Sequence, residues 1–250
     1  MAHLGLTTPE AHLSGERLAR GGVGQAGVEV EPFGAWLDEW RMVGEAGRGL
    51  DALRLTGRME GAGYDLSLGA TGPLVFHGED GFSVKSDGGQ ASYYYSQPFY
   101  EVAGTLDLPG GSVEVGGHGW LDREWSSEPL EGDQDGWDWF SLHLEGGAKL
   151  MAFQLRGGST FTYASWIEPD GSLTPLWQEA ELEPLRVAEV AGREVPVEWR
   201  LTLPSKDLDV VVEAVNDDSW QPTLFPYWEG PVRARGTHPG VGYLEMTGYE

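Results

Sequence analysis

Most of this chain is written with a period of two. In Gly136-Trp137-Asp138-Trp139-Phe140-Ser141-Leu142-His143-Leu144 the alternation places Trp137, Trp139, Ser141 and His143 on one face of a strand. Asp138, Phe140, Leu142 and Leu144 fall on the other. Shorter runs of the same kind recur, each stopped by Gly, Pro or Asp, and few windows sustain an apolar period of 3.6. The 38 glycines and 15 prolines are that punctuation. An antiparallel, all-β chain is the expectation.

The runs predict strands at Ala35 to Val43, Leu50 to Arg58, Gly63 to Ala70, Leu74 to His77 and Ala91 to Tyr95, with residues 1 to 35 poor in alternation and GGVGQAG at 21 to 27 read as connecting loop. After Pro98 the pattern restarts with Tyr100 to Leu108 and Ser112 to Leu121. A hairpin follows, Asp138 to Leu144 and Lys149 to Arg156, joined by an EGGA turn. Further strands are expected at Thr160 to Ile167, Leu182 to Ala191, Pro196 to Leu203, Asp207 to Val215, Val232 to Arg235 and Gly242 to Gly248. This spacing fits up-and-down barrels, with a domain boundary near 98 that divides the chain into 1–98 and 99–250.

Charge excludes some partners. The formal charge is −24, and Lys85, Lys149 and Lys206 are the only lysines. Nucleic acid is therefore no partner for the general surface, and neither is anionic lipid. Without cysteine there is no thiolate zinc site, disulfide or thiol nucleophile. The six histidines fall in no metal-ligand spacing, so no metal is expected. The glycines form no phosphate or dinucleotide loop, so no cofactor is expected, and no serine sits in a G-x-S-x-G elbow. No signal peptide and no apolar run long enough to span a membrane is present.

The chemistry gathers in residues 119 to 140, where Trp120, Trp125, Trp137 and Trp139 stand among carboxylates with Arg123 as the single fixed cation. Indoles stabilise cations and carboxyls move protons. In a strand, Trp120, Asp122 and Glu124 share one face while Leu121, Arg123 and Trp125 share the other. Asp138 lies on an apolar face, where desolvation raises a carboxyl pKa toward the range of a general acid. A structural reading stands beside this one. In it Asp122 or Glu124 pairs with Arg123 or Arg156, and Asp138 accepts from Arg156 or the backbone. Tyr94, the middle of three consecutive tyrosines, points to the opposite face from its neighbours. Trp228-Glu229 and Tyr243-Glu245 repeat the pairing of aromatic and acid.

The stretches YYYSQPFYEVAGTL, GWLDREWSS, GWDWFSLHLEGGAKLMAFQLR, PYWEGPV and GYLEMTGY together resemble the AttH-like family, also described as the carotenoid 1,2-hydratase (hydroxyneurosporene synthase) family. The resemblance runs from Met1 to Glu250. It implies two lipocalin-like β-barrels in tandem, with a ligand region near their junction, and hydration or a related non-redox rearrangement of a C=C bond in an elongated apolar molecule. It also implies an upstream segment that this chain lacks, so the first barrel is expected to be incomplete. A location in the cell envelope or periplasm rests on the resemblance alone. Where hydratases of the family read D-H-E-W, this chain has Arg123, which holds its proton at neutral pH.

On that resemblance, Asp138 or Asp122 is the expected acid and Glu124 the water-directing carboxylate. Trp125, Trp137 and Trp139 form the wall, with Trp120, Tyr94, Trp228 and Tyr243 as further ligand contacts and Arg123 and Arg156 as ion-pairing residues. The alternative is a non-catalytic carrier of hydrophobic small molecules with the same lining.

Overall fold

The computed structural model describes residues 1–128, 130 and 132–249. Its strands are β1 (Ala2–Thr7), β2 (His12–Arg17), β3 (Ala26–Glu29), β4 (Gly34–Leu37), β5 (Trp40–Gly44), β6 (Ala52–Met59) and β7 (Ala62–Ala70). The chain continues through β8 (Val75–Phe76), β9 (Phe82–Val84), β10 (Ala91–Leu108), β11 (Gly111–Trp125), β12 (Gln134–Leu144), β13 (Lys149–Gly157) and β14 (Phe161–Ile167). It ends with β15 (Leu173–Trp177), β16 (Glu181–Val190), β17 (Arg193–Leu203), β18 (Leu208–Ala214), β19 (Trp220–Gln221), β20 (Tyr227–Gly236) and β21 (Gly240–Met246). The all-β, antiparallel expectation holds, and no helix among the described residues is long and apolar enough to cross a membrane.

The chain forms two compact units that interleave in sequence. One comprises residues 1–6, 13–73 and 97–121, the other 7–12, 74–96 and 122–250. One of the exchange points lies between Ser96 and Gln97.

In the first unit the strand order runs from β11 and the second half of β10 through β7, β6, β5 and β4 to β3. Leu4, Leu37, Trp40, Leu53 and Tyr100 are buried there. β1 lies close because Gly57 has no side chain: a Cβ at that position would sit 2.4 Å from Leu4 Cδ1.

The second unit contains the larger sheet, ordered β15-β14-β13-β12-β21-β20-β18-β17-β16. Period-two patterning fills one of its faces. Val195, Val197, Trp199, Leu201 and Leu203 of β17 are fully buried, as are Phe140 and Leu142 of β12. Phe140 meets Trp199 edge to face at 5.6 Å. The EGGA hairpin closes as expected, with Gly146 and Gly147 at φ 98° and 95°, where an L side chain is strained.

Three expectations need correction. Strand structure does not begin only at Ala35, since residues 1 to 35 already carry β1, β2 and β3. The expected strand Ala35 to Val43 is two strands, because Asp38 takes a positive φ of 54° and turns the chain. The pattern does not restart at Pro98 either, because β10 passes straight through it. Its pairing with β8 ends at Ser96 opposite Val75, and pairing with β7 begins at Tyr100 opposite Ala70. Pro98 thus occupies the gap where β10 changes partners and its missing N–H costs little.

Candidate active site

The alternation of β12 holds: Phe140, Leu142 and Leu144 enter the core of the second unit, while Trp137 and Trp139 are half-buried on the opposite face. Antiparallel register then builds a row across six strands. Glu229 lies opposite Glu245, Glu245 opposite Trp139, Trp139 opposite Phe153, Phe153 opposite Tyr163, and Tyr163 opposite Trp177. Residues directly opposite share a face, so two carboxyls adjoin a line of four aromatic rings.

The carboxyl end of this row is perturbed. Burial pushes Glu245 up to about 7, the charge of Glu229 adds to the shift, and the Trp137 indole, donating to Oε1 at 2.7 Å, partly offsets it. Burial also raises Glu229, against a hydrogen bond from Tyr227. Both shifts move these neighbouring carboxyls toward the protonated form, the direction a general acid near neutral pH requires.

A second group of residues meets the aromatic part of the row. Trp139 Nε1 donates to Tyr94 OH at 2.9 Å, and Tyr94 OH donates to Asp122 Oδ2 at 2.8 Å. Ser96 donates to Asp122 Oδ1. His77, fully buried, bonds Ser96 through Nε2 at 2.7 Å and Ser165 through Nδ1 at 2.8 Å, and Ser165 bonds Tyr163 at 2.9 Å. Burial, helped by the charge of Lys85, lowers His77 to about 3, so its ring is neutral. Lys85 Nζ lies 2.7 Å from Glu124 and 4.0 Å from the centroid of Phe153. Burial lowers the lysine's pKa, and Glu124 and then Asp122 oppose the shift. Glu245 feels the charges of Asp122 and Glu124 as well, so both groups act in one electrostatic field.

The residues picked from sequence separate accordingly. Asp122, Glu124, Tyr94, Trp137 and Trp139 come together in this constellation, and half-buried Tyr243 stands two residues from Glu245 on the same strand face. Trp125 does not join them. It follows Glu124 in a strand and so faces the other way, 53% exposed and stacked on Tyr93 at 5.8 Å. Arg123 shares that outward side by the same alternation. Trp120 belongs to the other compact unit. Trp228 is packed in the core, with its indole donating to Asp217 O at 2.7 Å.

Asp138 is fully buried on the core side and saturated. Arg156 Nε at 2.9 Å and Gln154 Nε2 at 2.6 Å donate to Oδ2, and Tyr249 OH at 2.9 Å donates to Oδ1. Burial raises its pKa and Arg156 leads the opposing effects. The contact with Arg156 is the one that the structural reading of Asp138 names. Glu124 pairs with Lys85, a partner the sequence reading did not include.

Sequence reasoning noted Glu229 and Glu245 only as aromatic-acid pairs, read His77 with the other histidines as a surface or hydrogen-bonded core residue, and gave Lys85 no place in the site. The signal for the acids was the alternation in β20 and β21, but placing one opposite the other takes the register of two strands. The first unit holds an open groove of about 900 Å³, lined by Arg41, Arg54, Ser67 and Glu101 among others. No aromatic ring lines it among the described residues, so it lacks the cation-stabilising wall that the row of rings provides.

Comparison with known proteins agrees with this architecture. The AttH-like family model matches residues 1–249. A crystal structure from Nitrosomonas europaea assigned to AttH is 32% identical, with a TM-score of 0.87, over 99% of this chain and 81% of that one. Kievitone hydratase from Nectria haematococca is 20% identical, with a TM-score of 0.72, over 86% of this chain and 70% of that one, a likeness of fold. No curated protein matches in sequence.

Proposed function

We propose that this chain, which belongs to the AttH-like family, adds water across a C=C bond of an elongated apolar molecule, or rearranges that bond, by proton transfer alone. The observation that supports this reading is Glu245, a carboxyl raised to about 7 beside the Trp137 and Trp139 indoles. The solved neighbour named as a hydratase supports the reaction type through its shared fold.

In the proposed reaction protonated Glu245 gives its proton to one alkene carbon, and the π pair forms the new C–H bond. The cation left on the other carbon is stabilised by the indole faces and by the carboxylates of Asp122 and Glu124. Water attacks that carbon, and its surplus proton returns to the Glu229–Glu245 pair. The product is an alcohol, the acid is regenerated and nothing is oxidised. Loss of a neighbouring C–H proton instead of water attack gives the rearranged alkene. Tyr94 is a positioning residue here, because it ties Trp139 to Asp122.

The test is turnover of an isoprenoid polyene in ¹⁸O-labelled water without added cofactor, which is expected to place one ¹⁸O in the product. The rate is expected to fall as pH rises through about 7, because the active form is the protonated one. A rate that climbs with pH through that range would overturn the assignment.

A carrier remains the second reading, favoured by the engagement of the acceptors: Asp122 is bonded by Tyr94 and Ser96, and Glu124 by Lys85 and Ser92. It predicts binding of the same molecule with neither a labelled alcohol nor a rearranged alkene formed at any pH.

A further inference from the structure

The two strands that present Tyr94 and Asp122 to the row of rings carry a different surface on their reverse side. There Phe76, Phe82, Tyr93, Tyr95 and Trp125 form a continuous arc. Phe76 lies 5.8 Å from Tyr95, Tyr95 6.1 Å from Trp125, Trp125 5.8 Å from Tyr93, and Tyr93 6.2 Å from Phe82, between centroids. Phe76, Phe82, Tyr93 and Trp125 are each between 45% and 57% exposed. A cluster of large exposed rings is uncommon on a soluble surface and marks an interaction site.

We infer that this arc docks the protein on the headgroup region of a zwitterionic lipid bilayer. Ring type argues for this occupant: Trp and Tyr, with a polar edge on an apolar body, concentrate at the boundary between headgroups and hydrocarbon. Charge narrows the lipid. A chain of −24 is repelled by anionic headgroups. The rim of the arc carries both signs, with Glu79 and Asp80 exposed in the turn between β8 and β9 and Arg123 two residues before Trp125 on the same strand face. That pairing suits a headgroup with an ammonium and a phosphate, and the ammonium also meets the ring faces. Docked this way, the strands that touch lipid are those whose other faces hold Tyr94, Asp122 and Glu124, which places the catalytic constellation one strand thickness from a store of apolar molecules. The docking itself does not depend on catalysis.

The experiment is co-sedimentation of the full chain with phosphatidylcholine vesicles, with and without added phosphatidylglycerol, in the absence of any substrate. Binding to phosphatidylcholine is expected, weakened by phosphatidylglycerol at low salt and restored as salt screens the repulsion. The double variant Trp125→Ala/Tyr93→Ala is expected to bind at least about tenfold more weakly, with unchanged circular dichroism and isoprenoid turnover in detergent. Absence of vesicle binding, equal binding by the double variant or tighter binding with phosphatidylglycerol would overturn the inference. So would a vesicle-free dimer that the double variant dissolves, because the arc would then be covered by a second copy. None of these outcomes bears on hydration, which is measured separately.

Discussion

Glu245→Gln is expected to lower kcat for hydration by about 10²–10⁴-fold while leaving the fold and substrate affinity nearly intact. Glutamine keeps the shape and can still accept from the Trp137 indole, but it has no proton to give at any accessible pH. The substitution also relieves a cost. Folded Glu245 holds a proton until about 7, whereas the unfolded chain releases it near 4.5. Wild-type stability contributed by this group is therefore full below about 4.5 and is lost as pH rises through about 7. The glutamine variant is expected to lose that slope, so its denaturation midpoint above pH 7 equals or exceeds that of the wild type. Loss of activity accompanied by lost stability at high pH would mean that Glu245 is structural.

Asp138→Asn is expected to give the opposite pattern, with a loss of about 3 kcal/mol in stability and little change in kcat for the protein that remains folded. Three donors converge on the carboxylate, and an amide turns its own donors toward at least one of them. The Arg156 side chain is 24% exposed, which lets water reach the abandoned guanidinium and sets the loss at the lower end for a broken buried pair. Chemical denaturation at pH 7 measures the loss. A stable variant with abolished turnover would move the acid role back to Asp138.

How much of this was written in the sequence depends on the range of the interaction. Alternation is local, so the two faces of β12, the all-β class and the hairpin at Gly146 and Gly147 were all legible. The opposite orientations of Asp122 and Trp125 were legible for the same reason. Counting Trp125 in the wall weighed its residue type above its parity. Pro98 misled because a proline is excluded from a ladder only where its N–H is needed, and β10 changes partners there. Glu229 and Glu245 were harder, since neither is unusual alone. Sixteen residues apart, they become a proton-holding pair only through the register of β20 against β21. His77 and Lys85 become chemically distinctive through burial, which no local pattern revealed.

The claim on which the mechanism rests is the protonation of one carboxyl at neutral pH. Titration of the glutamate side-chain carboxyl carbons by ¹³C NMR, with the Glu245 signal assigned by its absence in Glu245→Gln, tests it without substrate. The account predicts a midpoint near 7. A midpoint of about 4 to 5, in the ordinary glutamate range, would contradict it.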